Sequence, residues 1–182
     1  MLVSFLEKAK PYGLKLISAL SITEIQASAI LGNFGYMSRG MQPNYRSDDS
    51  YGPAWSKGTI RRGYGWAQLE NKTNGSNELD LFIDFVKTKF DEDITRISAT
   101  DAHNYAYVIE QFINGDKKAA ITALRSASTI EEATIIFMEK YQNPDRFSIF
   151  LNKRLNYARQ ALGCIHNLDV PLRSTAKNLI ET

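Results

Sequence analysis

Ile30-Leu31-Gly32-Asn33-Phe34-Gly35-Tyr36-Met37-Ser38 is the stretch on which the fold is decided. Ser21 or Thr23 can cap a helix that runs into it through Glu24, Ile25, Ala27, Ile30, Leu31 and Phe34. Downstream lies a second marker, Gly63-Tyr64-Gly65-Trp66-Ala67-Gln68-Leu69, whose glycine spacing and aromatics suit a short hairpin or turn over residues 58–67. Between the two, residues 39–57 turn polar, with Gly40, Pro43, Asn44, Ser47, Asp48, Asp49, Gly52 and Pro53. A long surface loop of this kind often frames a binding site.

Beyond residue 77 the apolar spacing is helical. Residues 78–90 place Leu79, Phe82, Ile83 and Val86 on one face, and residues 101–114 do the same with Tyr105, Val108, Ile109 and Phe112. Asn114-Gly115 stops the second of these. A short helix is expected over 117–126 and a Thr129-capped helix over 130–141. Pro144 breaks that helix before the longest one, 147–166, and a last helix or tail follows Pro171. The expected fold is mainly α, with a small loop and hairpin lobe that forms a cleft against a helical body. The expected organisation is an N-terminal segment, 1–21, packed on a domain spanning 22–165, with a C-terminal helix or tail at 166–182.

Composition narrows the function. The 182 residues are 43% hydrophobic and 23% charged, ordinary for a globular domain with a real core. A net charge of +2, without a long Lys/Arg run, argues against a nucleic-acid partner. The single cysteine, Cys164, excludes an internal disulfide and a cysteine zinc cluster, and its helical context reads as packing. His103 and His166 have no ligand-spaced companions, so neither a metal nor a cofactor is expected. The apolar pieces Leu2–Leu6 and Leu14–Leu20 are interrupted by Glu7, Lys8, Lys10, Pro11 and Lys15. No signal peptide and no membrane span are therefore expected. The expectation is a virion- or tail-associated or cytoplasmic protein, which would reach a cell wall by another route.

Four segments in order resemble the phage tail lysozyme family, whose members cut the glycan strands of bacterial walls. The family's first motif, Gly-Asn-Phe-Gly-His-Glu-Ser, corresponds to Gly32–Ser38. A Gly-rich segment resembling Trp-Gly-Trp-Ala-Gln-Trp-Thr corresponds to residues 63–70. Asn104-Tyr105 leading to Glu110, and Tyr141-x-x-Pro144 before the helix with Arg154 and Arg159, complete a match over roughly Ile22 to Leu162. The resemblance implies a lysozyme-like helical fold and peptidoglycan or a related glycan as partner. Its departures fall on the chemistry: His becomes Tyr36, the catalytic Glu becomes Met37, Trp becomes Leu69 and Thr becomes Glu70.

Glycoside cleavage needs an acid that keeps its proton near the leaving oxygen, usually with a second carboxylate. A thioether at Met37 cannot donate a proton. Glu70 is the best replacement, and Asp48 in the long loop, beside Asp49, is a candidate for the second carboxylate. Glu24 lies almost four turns from Met37, roughly 20 Å along a helix, too far to substitute. Glu110 reads as a structural partner for the motif helix or the Gly-rich turn. Tyr36, Tyr45, Tyr51, Trp55, Tyr64 and Trp66 could offer an aromatic platform to sugar rings. Tyr36, Ser38, Tyr64, Trp66, Gln68 and Asp48 are thus the candidate substrate contacts. Three functional readings stand: a glycan-binding descendant with weak or lost hydrolysis, an active muramidase with a relocated acid, and a protein–protein module of a phage tail or another assembly.

Overall fold

The computed structural model describes residues 4–58, 63–72, 77–142 and 150–166. Among them are seven α-helices: α1 (Phe5–Leu20), α2 (Glu24–Met37), α3 (Glu78–Phe90), α4 (Asp101–Ile113), α5 (Lys118–Leu124), α6 (Ile130–Phe137) and α7 (Leu151–His166). A π-helical turn, Met138–Gln142, extends α6. The fold is mainly helical, as the spacing predicts, and only isolated β-bridges occur among the described residues. The segment after Pro171 lies outside the described residues, as does the expected start at 147 of the longest helix.

Central to the packing is α2. Every residue from Gln26 to Gly35 is buried, so the helix has no solvent face. Small residues make this workable. A Cβ on Gly32 would stand 2.5 Å from the Ala158 Cβ and 2.6 Å from the Ala158 nitrogen, which shows how closely α2 and α7 approach. That pair is the most extensive helix contact in the fold. Buried polar side chains on α2 fasten its other neighbours. Gln26 Nε2 donates to the Arg125 and Ala127 carbonyls at 3.2 and 3.1 Å, and Asn33 Nδ2 donates to the Thr134 carbonyl at 3.3 Å. A Thr23–Gln26 capping box starts the helix. Its end is set by left-handed backbone at Arg39 and Gly40, with the Gly40 N–H donating to the Gly35 carbonyl at 2.7 Å. Met37 is therefore the last residue of the buried central helix.

The N-terminal helix adds an element for which the sequence reading gives no bounds. Charges and Pro11 interrupt its apolar pieces, yet Ser4 and Glu7 form a capping box and the chain is helical to Leu20. Lys8 is no surface charge. It is 4% exposed, and its ammonium donates to the Asp101 carboxylate and the Met41 carbonyl, both at 2.8 Å. Asp101 also accepts from Trp66 Nε1 at 3.2 Å. One partly buried carboxylate thus ties α1, α4 and the Gly-rich turn together. A correction concerns residues 130–141: the α-helix stops at Phe137, and the wider π turn brings the Tyr141 ring to stack on Phe137 at 4.9 Å.

Candidate functional site

The Gly-rich segment closes as a tight hairpin. Tyr64 and Leu69 exchange two backbone hydrogen bonds of 3.0 Å, and Gly65 (φ 68°) and Gln68 (φ 52°) take left-handed conformations between them. Asn104 of α4 fixes this turn. Its Oδ1 accepts from the Trp66 N–H at 2.9 Å, and its Nδ2 donates to the Pro43 and Thr100 carbonyls at 3.0 and 2.9 Å. At Gly65 a Cβ would fall 2.4 Å from Asn104 Oδ1, so only glycine fits. Gln68 Nε2 donates to the Gly65 carbonyl at 2.9 Å and reaches the Tyr45 carbonyl at 3.3 Å.

This hairpin faces the end of α2 across a groove with two halves. The larger, of about 790 Å³, is lined by Tyr36, Met37, Arg39, Tyr45, Gln68 and the Lys153, Asn156 and Tyr157 face of α7. The smaller, of about 320 Å³, is lined by Met37, Gln68, Leu69, Glu70, Lys72, Glu78, Lys117, Lys140 and Tyr141 among others. Met37 and Gln68 belong to both halves and so mark the middle of the groove. Met37 is half-buried rather than turned into the core.

Of the candidate residues, the structure gathers Tyr36, Met37, Gln68 and Glu70 at the groove. The remaining four are placed elsewhere. Tyr64 is fully buried, donates from its hydroxyl to the Gly52 carbonyl at 2.9 Å and accepts from the Ala99 N–H at 3.1 Å. Burial pushes its phenol up to about 12. Trp66 is 2% exposed, donates to the Met41 carbonyl at 2.8 Å and packs edge-on against Tyr12. Neither ring has a face to offer a sugar. Ser38 is buried and its hydroxyl donates back to the Phe34 carbonyl at 2.7 Å, inside its own helix end. Asp48 is exposed and accepts from the Ser50 N–H and hydroxyl; those bonds hold its carboxyl below the usual range, and it does not line the groove. Glu110 also departs from expectation, since it accepts from Asn114 at 3.0 Å at the end of its own helix. Asn104, six residues earlier, is the partner of the Gly-rich turn.

The aromatic character of the groove comes from Tyr36 and Tyr45 of the expected platform, joined by Tyr157 in the larger half and Tyr141 in the smaller. Tyr36 stacks on Phe150 at 5.5 Å, and the Arg154 guanidinium sits 4.9 Å from its ring centre. Arg154 is 5% exposed, and burial lowers its pKa to about 10. Its Nη1 donates to Asn33 Oδ1 at 2.7 Å, so it locks α7 to the motif helix behind the groove. Lys153, Asn156 and Tyr157 were absent from the sequence-derived site. Their i, i+3, i+4 spacing marks one helix face, but nothing in it says that this face meets Met37.

The carboxylates of the groove are Glu70 and Glu78, the second unforeseen. Glu70 pairs with Lys72 at 2.8 Å and Glu78 with Lys117 at 2.9 Å. Each is a partly exposed hydrogen-bond acceptor for an ammonium. Among the described residues no group of three or more His, Cys, Asp or Glu could hold a metal ion. Among them, too, no helix is long and apolar enough to cross a membrane.

No curated protein and no solved structure matches this chain. A family model does: that of the phage tail lysozymes matches residues 11–164, which takes in the central helix, the Gly-rich hairpin and both walls of the groove. With most of its length so matched, the chain belongs to the phage tail lysozyme family.

Proposed function

We propose that this protein holds a peptidoglycan-type glycan strand in its groove and hydrolyses it weakly or not at all. The observation that carries the reading is Met37 at the centre of the groove, where the family motif has glutamate. Position 37 is well made for an acid. It closes α2, and the electronegative end of a helix disfavours a charged carboxylate, which helps an acid keep its proton. A thioether there has no proton to give. Loss of a positioned general acid costs about 10²–10⁴-fold in rate.

Binding does not need that proton. The larger half lies within the about 300–1,000 Å³ usual for ligand sites. Its tyrosine rings suit the apolar faces of sugars, and the Asn156 amide supplies donors and an acceptor for hydroxyl groups.

A second reading, a relocated acid, is favoured by one observation: Glu70 lines the smaller half. Turbidity clearing of purified bacterial walls separates the two. The parent chain is expected to clear walls at background rate and Met37→Glu to gain activity. Parent clearing as fast as that of Met37→Glu would overturn the inactive-site reading. Loss of such clearing in Glu70→Gln would then identify the relocated acid.

A further inference from the structure

The charges along the groove point to the kind of strand it accepts. Its lining carries five cations, Arg39, Lys72, Lys117, Lys140 and Lys153, against two carboxylates. Three of the cations are matched by ion pairs: Arg39 with Asp49 at 2.9 Å, Lys72 with Glu70 and Lys117 with Glu78. Lys140 and Lys153 are exposed and have no carboxylate partner among the described residues. They stand in different halves, one on the π turn after α6 and one on α7, with Met37 between them. The chain as a whole carries only +2, so the lining concentrates positive charge.

We propose that Lys140 and Lys153 are specificity-determining residues that select glycan strands bearing acidic substituents, one clamping the strand on each side of Met37. This rests on the glycan-binding reading above and deepens it. The same logic gives the thioether a positive role. A carboxylate at position 37 would place negative charge where the two halves that hold the lysines meet, whereas methionine leaves the path neutral. The recognised chemistry is an anionic group repeated along a sugar polymer. It can come from free lactyl carboxylates of a wall glycan stripped of its peptides, or from the phosphodiesters of a teichoic-type polymer.

The test is equilibrium binding by the intact chain of three labelled probes: a neutral N-acetylglucosamine hexamer, a peptide-free wall glycan fragment with its carboxylates, and a phosphodiester-linked wall polymer. Each is measured at low and high salt, with the parent, Lys140→Gln/Lys153→Gln and Met37→Glu. At least one acidic probe should bind about 5- to 10-fold more tightly than the neutral one, as expected for two exposed ion pairs. That margin should shrink with added salt and vanish in the double variant, whose loss of affinity should fall on the acidic probe rather than the neutral one. Met37→Glu should also weaken the acidic probe. Which acidic probe responds distinguishes carboxylate from phosphate. Equal binding of neutral and acidic probes, or a double variant that keeps the margin with an unchanged melting temperature, overturns the charge selection and leaves the glycan-binding reading standing. Binding of none of the probes overturns both.

Discussion

Gly32→Ala tests whether the groove depends on the close approach of α2 and α7. The added methyl would lie 2.5 Å from the Ala158 Cβ, 2.6 Å from its nitrogen and 2.7 Å from its Cα. Carbon contacts relax to about 3.5–4.0 Å, so the helices must part by roughly 1 Å. Two of the three contacts are backbone, which no rotamer change can clear. Overpacking of this kind costs about 3 kcal/mol, the upper end of the usual range. Alanine is the better helix former and returns about 1 kcal/mol. The net loss is therefore about 2 kcal/mol, or roughly 4–8 °C in melting temperature for a chain of this size. Ala158→Gly in the same chain removes only the Cβ contact, so it should recover part of the loss. Thermal unfolding followed by circular dichroism measures both. Because α7 carries Lys153, Asn156 and Tyr157, the same displacement moves one wall of the groove, and glycan affinity should fall in parallel. A Gly32→Ala chain that melts at or above the parent temperature would refute the argument, because propensity would then outweigh a contact claimed to be closed.

Two further perturbations address the buried polar groups. His103 caps α4 by accepting the Thr100 N–H at Nδ1 (3.3 Å), while its Nε2 faces Glu92 at 3.2 Å and its ring meets Phe90 edge-on. Burial lowers its pKa, with Glu92 opposing, so the fold prefers the neutral ring. Below pH of about 6.5 the unfolded chain takes up that proton more readily. Stability is thus full above 6.5 and falls as pH drops through the folded pKa. His103→Gln keeps a capping-box side chain without titrating, so its melting temperature should decline less than the parent's between pH 7 and pH 5; parallel declines would remove His103 as the cause. At the Lys8–Asp101 pair, Asp101→Asn strands a buried ammonium and should cost about 2–3 kcal/mol, below the usual figure for a broken buried pair because Asp101 is 28% exposed. Lys8→Met fills the same space without charge and should cost less in urea unfolding; the opposite order would show that charge burial does not govern this contact.

Much of the frame could be read from the chain because it rests on local signals. Glu78–Phe90 appears with the bounds expected from its apolar spacing, and Asp101–Ile113 ends at the anticipated Asn114. The failures have a common physical origin, namely tertiary partners that sequence spacing does not show. Lys8 enters the sequence reading only as an interruption of an apolar piece, because its partner Asp101, which takes it into the core, is distant in sequence. Trp66 and Tyr64 look like a sugar platform until their polar atoms find backbone partners inside the fold. Conversely Tyr157, Lys153 and Glu78 reach the groove only because α7 and α3 are brought beside it. The placement of Met37, Gln68 and Glu70 on one groove was legible because the two motifs carry them.

The matched positions also show why the frame does not depend on an acid at position 37. Gly32 admits α7, and Asn33 ties α2 to both Thr134 and Arg154. Gly65 and Asn104 fit one another, while Gln68 closes the hairpin onto the Tyr45 carbonyl. Every one of these residues does structural work, and none needs a proton at position 37. That position sits at a helix end with its side chain half in solvent, so a change there opens no large cavity and strands no deeply buried charge. Fold and chemistry are therefore separable in this groove. Likeness to the family follows from the packing residues, while on the proposed function the capacity to cut rests on what stands at 37 and at the carboxylates of the smaller half.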